Sequence, residues 1–169
     1  MLESSVFLLD LATVKQQGGT YYIEIQKSQY AGKLPFWSES SIYIDGDIWL
    51  KFFEFSADDI IPEYDFYDFN SLSFEVCKKF ANHLLELSDK VKQCHSADDF
   101  LKPELLSKSG KPYIQLNEGM AGLFFGEQEV EKRFDENFQK HAELLSREYQ
   151  ILAHWLIENG KNGVSILGI

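Results

Sequence analysis

Residues 20–28 read Thr-Tyr-Tyr-Ile-Glu-Ile-Gln-Lys-Ser, and their period of two decides the fold. Tyr21, Ile23 and Ile25 point one way and Tyr22, Glu24 and Gln26 the other; alternation carried by aromatic and β-branched residues makes a strand. Upstream, residues 6–15 (VFLLDLATVK) form a largely apolar run that stops at Gln16-Gln17-Gly18-Gly19, and the glycine pair suits the positive backbone dihedrals of a tight hairpin. Downstream, Ala31-Gly32-Lys33-Leu34-Pro35 reads as a loop from its Gly and Pro. Residues 41–44 and 48–55 then flank Asp45-Gly46-Asp47, and Asp-Gly between two apolar runs signals another hairpin. The first 55 residues therefore predict an antiparallel sheet of about four strands.

The periodicity changes after residue 70. Ser71 or Ser73 can cap the free amides of a helix whose Phe74, Cys77, Ala81, Leu84, Leu85, Ser88 and Val91 recur at three- and four-residue spacing. Ser96-Ala97-Asp98-Asp99 starts a shorter helix, and Pro103 begins another turn. Residues 111–116 (KPYIQL) predict a strand, and residues 120–125 (MAGLFF) read equally as strand or turn. A long helix follows, with Glu127, Glu129 and Glu131 at its positive end. Its stripe is Val130, Phe134, Phe138, His141, Leu145, Tyr149, Leu152 and Trp155 or Leu156, and Gly160 stops it. Val164-Ser165-Ile166-Leu167 adds a short strand. Residues 1–169 thus predict one α+β domain, an antiparallel β-sheet packed by two main helices, the second long and C-terminal.

The 16 Lys and Arg against 27 Asp and Glu give a net charge of −11, which opposes sequence-independent binding of nucleic acid. Residues 1–5 carry no basic stretch ahead of the apolar run and Asp10 interrupts it, so the expected compartment is the cytoplasm; no run approaches a membrane span. Cys77 and Cys94 have no metal-ligand spacing and are expected as reduced thiols. No glycine-rich phosphate loop, HExxH pair or Gly-x-Ser-x-Gly elbow is present, and His83, His95, His141 and His154 are scattered. Accordingly no catalytic residue, metal or cofactor is assigned.

Eight acids against Lys51 give residues 45–69 a net charge of −7, interleaved with Trp49, Phe52, Phe53, Phe55, Tyr64, Phe66, Tyr67 and Phe69. Two readings stay open. Either the rings pack beneath the domain while the carboxylates face water and merely keep the chain soluble, or part of the segment meets a partner. In the second, Asp58, Asp59, Glu63, Asp65 and Asp68 steer a basic protein, and Tyr64 and Tyr67 anchor it.

With its aromatic-rich sheet, acidic loop, helix and long terminal helix, the chain resembles the immunity proteins of bacterial contact-dependent growth inhibition. More narrowly it is similar to those paired with EndoU-type ribonuclease toxins, whose fold is Whirly-like. The resemblance implies an antitoxin that occludes the basic cleft of a cognate nuclease domain and has no catalytic residues of its own. The Whirly motif Lys-Gly-Lys-Ala-Ala-Leu has no match, Gly32-Lys33-Leu34 and Gly110-Lys111-Pro112 being the nearest fragments. A Whirly-like single-strand binder stacking bases on Tyr21, Tyr22 or Trp49, and an enzyme with a Phe- and Tyr-lined pocket, are the rival expectations.

Overall fold

A computed structural model describes residues 5–19, 21–29, 37–116 and 137–168. The strands are β1 (Tyr22–Gln26), β2 (Ile42–Asp45), β3 (Phe69–Leu72) and β4 (Val164–Gly168). Among the described residues they form one antiparallel sheet in the order β2-β1-β4-β3. The helices are α1 (Leu11–Gln17), α2 (Gly46–Phe52), α3 (Glu54–Ile60), α4 (Phe74–Lys92) and α5 (Phe138–Asn159), with 3-10 turns at Ala97–Leu101 and Pro103–Leu105. The chain is α+β, with a four-stranded antiparallel sheet and a long C-terminal helix.

β1 alternates as its sequence requires, yet all five of its residues are buried, because both sheet faces are covered. Ile23 and Ile25 join Ile42, Ile44, Leu72, Val164 and Ile166 in the main core. Tyr22, on the other face, packs with Tyr43, Leu11 and Val14 under α1.

The strands are distributed differently from the expected four in the first 55 residues, and the reasons are local. Residues 6–15 yield only one bridge, Leu9 to Tyr43, before Asp10 accepts the Thr13 N–H at 2.8 Å and starts α1. Gly18 and Gly19 do take positive φ, 73° and 95°, but they end α1 instead of turning a hairpin. Asp45 likewise caps, accepting from the Asp47 and Ile48 amides at 2.9 and 3.3 Å. Behind that cap the expected strand 48–55 is helical: Trp49, Phe52, Phe53 and Ala57 recur at helical spacing, and all four are completely buried. Gly46 is needed here, since a Cβ would lie 2.2 Å from the Tyr21 ring. Residues 111–116 are not a strand; Pro112 makes a lone bridge to Leu106, and Gln115 N–H bonds the Lys51 carbonyl at 2.9 Å.

The second half follows its periodicity. Ser73, one of the two expected caps, accepts from Val76 N–H at 3.3 Å, and Cys77, Ala81, Leu84, Ser88 and Val91 are buried. From Phe138 onward α5 presents Leu145, Tyr149, Leu152, Trp155 and Leu156 to the core and ends at Gly160; Val130, Phe134, the 127–131 glutamates and residues 120–125 lie outside the described residues. Small residues seat α4 on α5: Ser88 Oγ lies 2.7 Å from Ser146 Oγ. Tyr149 donates to the Phe52 carbonyl at 2.8 Å, tying α5 to α2. Glu148, fully buried on α5, holds the N-terminal arm through Ser5 Oγ and the amides of Val6 at 2.8 Å and Phe7 at 3.3 Å, while Phe7 stacks on Phe52 at 5.5 Å. Cys77 and Cys94 are buried free thiols, and burial pushes Cys77 up to about 11. Among the described residues no helix is long and apolar enough to cross a membrane.

Candidate functional site: an acidic aromatic turn

α3 ends at Ile60, and residues 61–68 turn the chain back into the edge strand β3. Glu63 sits at φ 55°, in the left-handed region, where the direction reverses. Asn70, 6% exposed on β3, grips the turn from below. Its Oδ1 accepts the Asp65 N–H at 2.9 Å, and its Nδ2 donates to the carbonyls of Asp65 at 2.7 Å and Asp68 at 3.2 Å. Asp65 Oδ1 accepts from Tyr67 N–H at 2.9 Å, and Asp68 Oδ1 from Phe69 N–H at 2.7 Å. Side chains therefore hold the turn in shape without a partner.

The aromatic residues divide into two sets. Trp49, Phe52 and Phe53 are core. Tyr64 is half-buried and donates to Glu54 Oε2 at 2.6 Å; the same oxygen accepts from Trp49 Nε1 at 2.9 Å. Tyr64 is thus a fastener between the turn and the core, and its phenol is pushed up, first by burial and then by the Glu54 charge. Burial also raises Glu54, the hydrogen bonds from Tyr64 and Trp49 oppose it, and the charges of Asp58 and Asp65 add to the rise. Tyr67, by contrast, is 84% exposed; its ring stands edge-on to Phe66 at 5.0 Å, and Phe66 meets Tyr21 at 6.2 Å. Phe69, 40% exposed, continues this surface onto β3.

The carboxylates divide too. Asp59 faces inward, accepting from Lys108 N–H at 3.0 Å and Tyr113 hydroxyl at 2.6 Å, so it fastens the 106–113 segment to α3. Close by, His83 Nε2 lies 2.9 Å from the buried Ser56 Oγ, with its ring 4.9 Å from Tyr113. Asp58, Glu63, Asp65 and Asp68 are exposed, and no described Lys or Arg forms an ion pair with them. Of the seven residues expected to meet a partner, these four and Tyr67 are exposed, whereas Asp59 and Tyr64 are half-buried and hydrogen-bonded to Tyr113 and Glu54.

Three contributors lie outside the seven expected residues, although Glu54 and Phe69 belong to the acidic aromatic stretch 45–69. Glu54 and Asn70 build the turn, and Phe69 extends it. Asn70 was findable: an Asn directly after an acidic aromatic stretch is well suited to close a turn through its amide.

The rings available for base stacking are few. Trp49 is completely buried and Tyr22 is 5% exposed. A cleft of about 330 Å³ is lined by Asp10, Leu11, Ala12, Lys15 and Glu39, with neither Phe nor Tyr among them. Among the described residues no three of His, Cys, Asp and Glu are grouped to hold a metal ion. Comparisons with protein-family models, with curated proteins and with solved structures found no match for this chain.

Proposed function

We propose that this chain is a binding protein that captures a basic protein partner on the 58–69 turn, acting as the cytoplasmic immunity protein of a nuclease toxin. One observation carries the reading: Tyr67 projects into solvent from a prebuilt turn that also exposes Asp58, Glu63, Asp65 and Asp68 without described cationic partners. A nuclease must hold phosphates and so presents a positive cleft, to which such a turn is complementary in sign. Charge sets the encounter rate, and a desolvated tyrosine supplies the anchor.

The test is association with a nuclease domain encoded beside this chain's gene, followed by stopped flow at low and high salt. Asp58→Lys with Glu63→Lys reverses two charges whose side chains make no described hydrogen bond, and Asp65→Asn with Asp68→Asn removes two more while keeping amide acceptors. The combined variant is expected to associate at least tenfold more slowly at low salt. Tyr67→Ala is expected to act mainly on dissociation. Rates unchanged in both variants would remove the turn from the interface.

A further inference from the structure

The 106–113 segment is a loop closed on itself. Leu106 bridges Pro112, and the Ser107 N–H bonds the Lys111 carbonyl at 2.7 Å. Leu105 and Ile114, both in the main core, pin its two ends. Between those ends Asp59 fastens it to α3. Asp59 Oδ2 accepts from the Tyr113 hydroxyl at 2.6 Å and from Lys108 N–H at 3.0 Å, and the Asp59 carbonyl accepts from Lys108 Nζ at 3.1 Å.

His83 of α4 completes this junction. Its Nε2 lies 2.9 Å from Oγ of Ser56, which is completely buried on α3, and its ring stands edge-on to Tyr113 at 4.9 Å. One imidazole therefore touches α3 and the loop together. A serine hydroxyl serves a neutral imidazole in either tautomer, as donor or acceptor, but brings no charge to balance an imidazolium. The charged groups facing the ring are Asp59 from α3, Glu86 and Lys90 from α4 itself, and Lys108 from the loop, where the Tyr113 phenol also meets it. Asp59 is already engaged by two donors of the loop, Glu86 is exposed to water, and both lysines repel a cation. Docking of the loop keeps the ring half out of water and holds Lys108 near it; lifting the loop reverses both. A proton on His83 and a docked loop thus oppose each other.

We propose that residues 106–113 form a pH-operated latch: protonation of His83 favours lifting of the loop from α3 and α4 about its pinned ends, while the rest of the fold stays in place. The inference is independent of the basic-partner reading.

Amide exchange, expressed as protection so that the intrinsic rate cancels, tests it on the whole chain. Lys108 and Tyr113 N–H, bonded to Asp59 and to the Leu105 carbonyl, report the loop, and the amides of Tyr149 and Leu152 in α5 report global opening. A ring that stays neutral under the docked loop and regains an ordinary pKa of about 6.5 once lifted raises the opening equilibrium about tenfold between about pH 7.5 and about pH 5.5. Protection of Lys108 and Tyr113 is expected to fall by that factor and to ignore low urea, as a local opening does, while protection of the α5 amides falls with urea. His83→Gln keeps a hydrogen-bonding partner for Ser56 and His83→Phe keeps the ring against Tyr113; either is expected to flatten the pH profile of the loop. Loop protection that does not change with pH, that falls equally in the two variants, or that follows urea as the α5 amides do, overturns the proposal.

Discussion

Replacing Asn70 by alanine asks whether the acidic turn is a built element. Asn70 is 6% exposed and makes three bonds to the turn, at 2.9, 2.7 and 3.2 Å. At a net contribution of about 0.5–1.5 kcal/mol each, they sum to roughly 1.5–4.5 kcal/mol. The turn borders solvent, so water can re-satisfy the Asp65 and Asp68 carbonyls, and a loss of about 2 kcal/mol is the expected outcome. That is about a 30-fold rise in the opening equilibrium. Urea denaturation reads the loss, and amide exchange of Asp68, whose N–H bonds the Asp65 carbonyl at 3.2 Å, reads the opening. Asn70→Asp sharpens the test: it keeps the acceptor for the Asp65 amide but aims an anion at two carbonyls, so it should cost more than alanine near pH 7 and less once protonated. Stability within about 0.5 kcal/mol of wild type, with Asp68 exchange unchanged, would refute the stapling argument.

Three further outcomes follow from groups buried elsewhere. Burial lowers the His83 pKa; the charges of Lys90 and Lys108 act in the same direction, against those of Asp59 and Glu86. The unfolded chain therefore takes the proton first, stability falls as pH drops below about 6.5, and His83→Gln should show a shallower loss than wild type on acidification. Equal slopes in denaturation series would exclude this. Glu148→Ala removes the acceptor for Ser5 Oγ and two arm amides, and is expected to cost about 2–4 kcal/mol, with Glu148→Gln costing less; a urea titration decides. Ellman's reagent near pH 8 should find neither Cys77 nor Cys94 in the native chain and both in denaturant, since both are buried and both thiols are raised by burial. Prompt native reaction would contradict that packing.

Where the sequence was legible, one period dominated. The 22–26 alternation, the 74–91 stripe and the 138–156 stripe each occupy the expected element, because burial rewards only one geometry for such patterns. The misplaced strands come from competition between turn chemistry and capping. Asp45 and Asp10 each precede an apolar run, and an Asp can either turn a hairpin or accept the first amides of a helix. In residues 48–57 the run is dense enough in rings to match both periods, and tertiary burial of Trp49, Phe52, Phe53 and Ala57 on one helical surface decides it. The site shows a similar split. Composition located the acidic turn, but which acids face outward depends on Lys108, Tyr113 and Asn70, contributed by later parts of the chain.

The strand order has a consequence for how the chain is made. β4 lies between β1 and β3, so the β1–β2 pair and β3 have no sheet contact until residues 164–168 arrive. Roughly ninety residues separate β3 from β4, about 5–20 s of translation, during which the nascent sheet is in two pieces. A ribosome-tethered chain halted after Asn159 should therefore be protease-sensitive throughout, and resistance should appear in one step once the last strand has emerged.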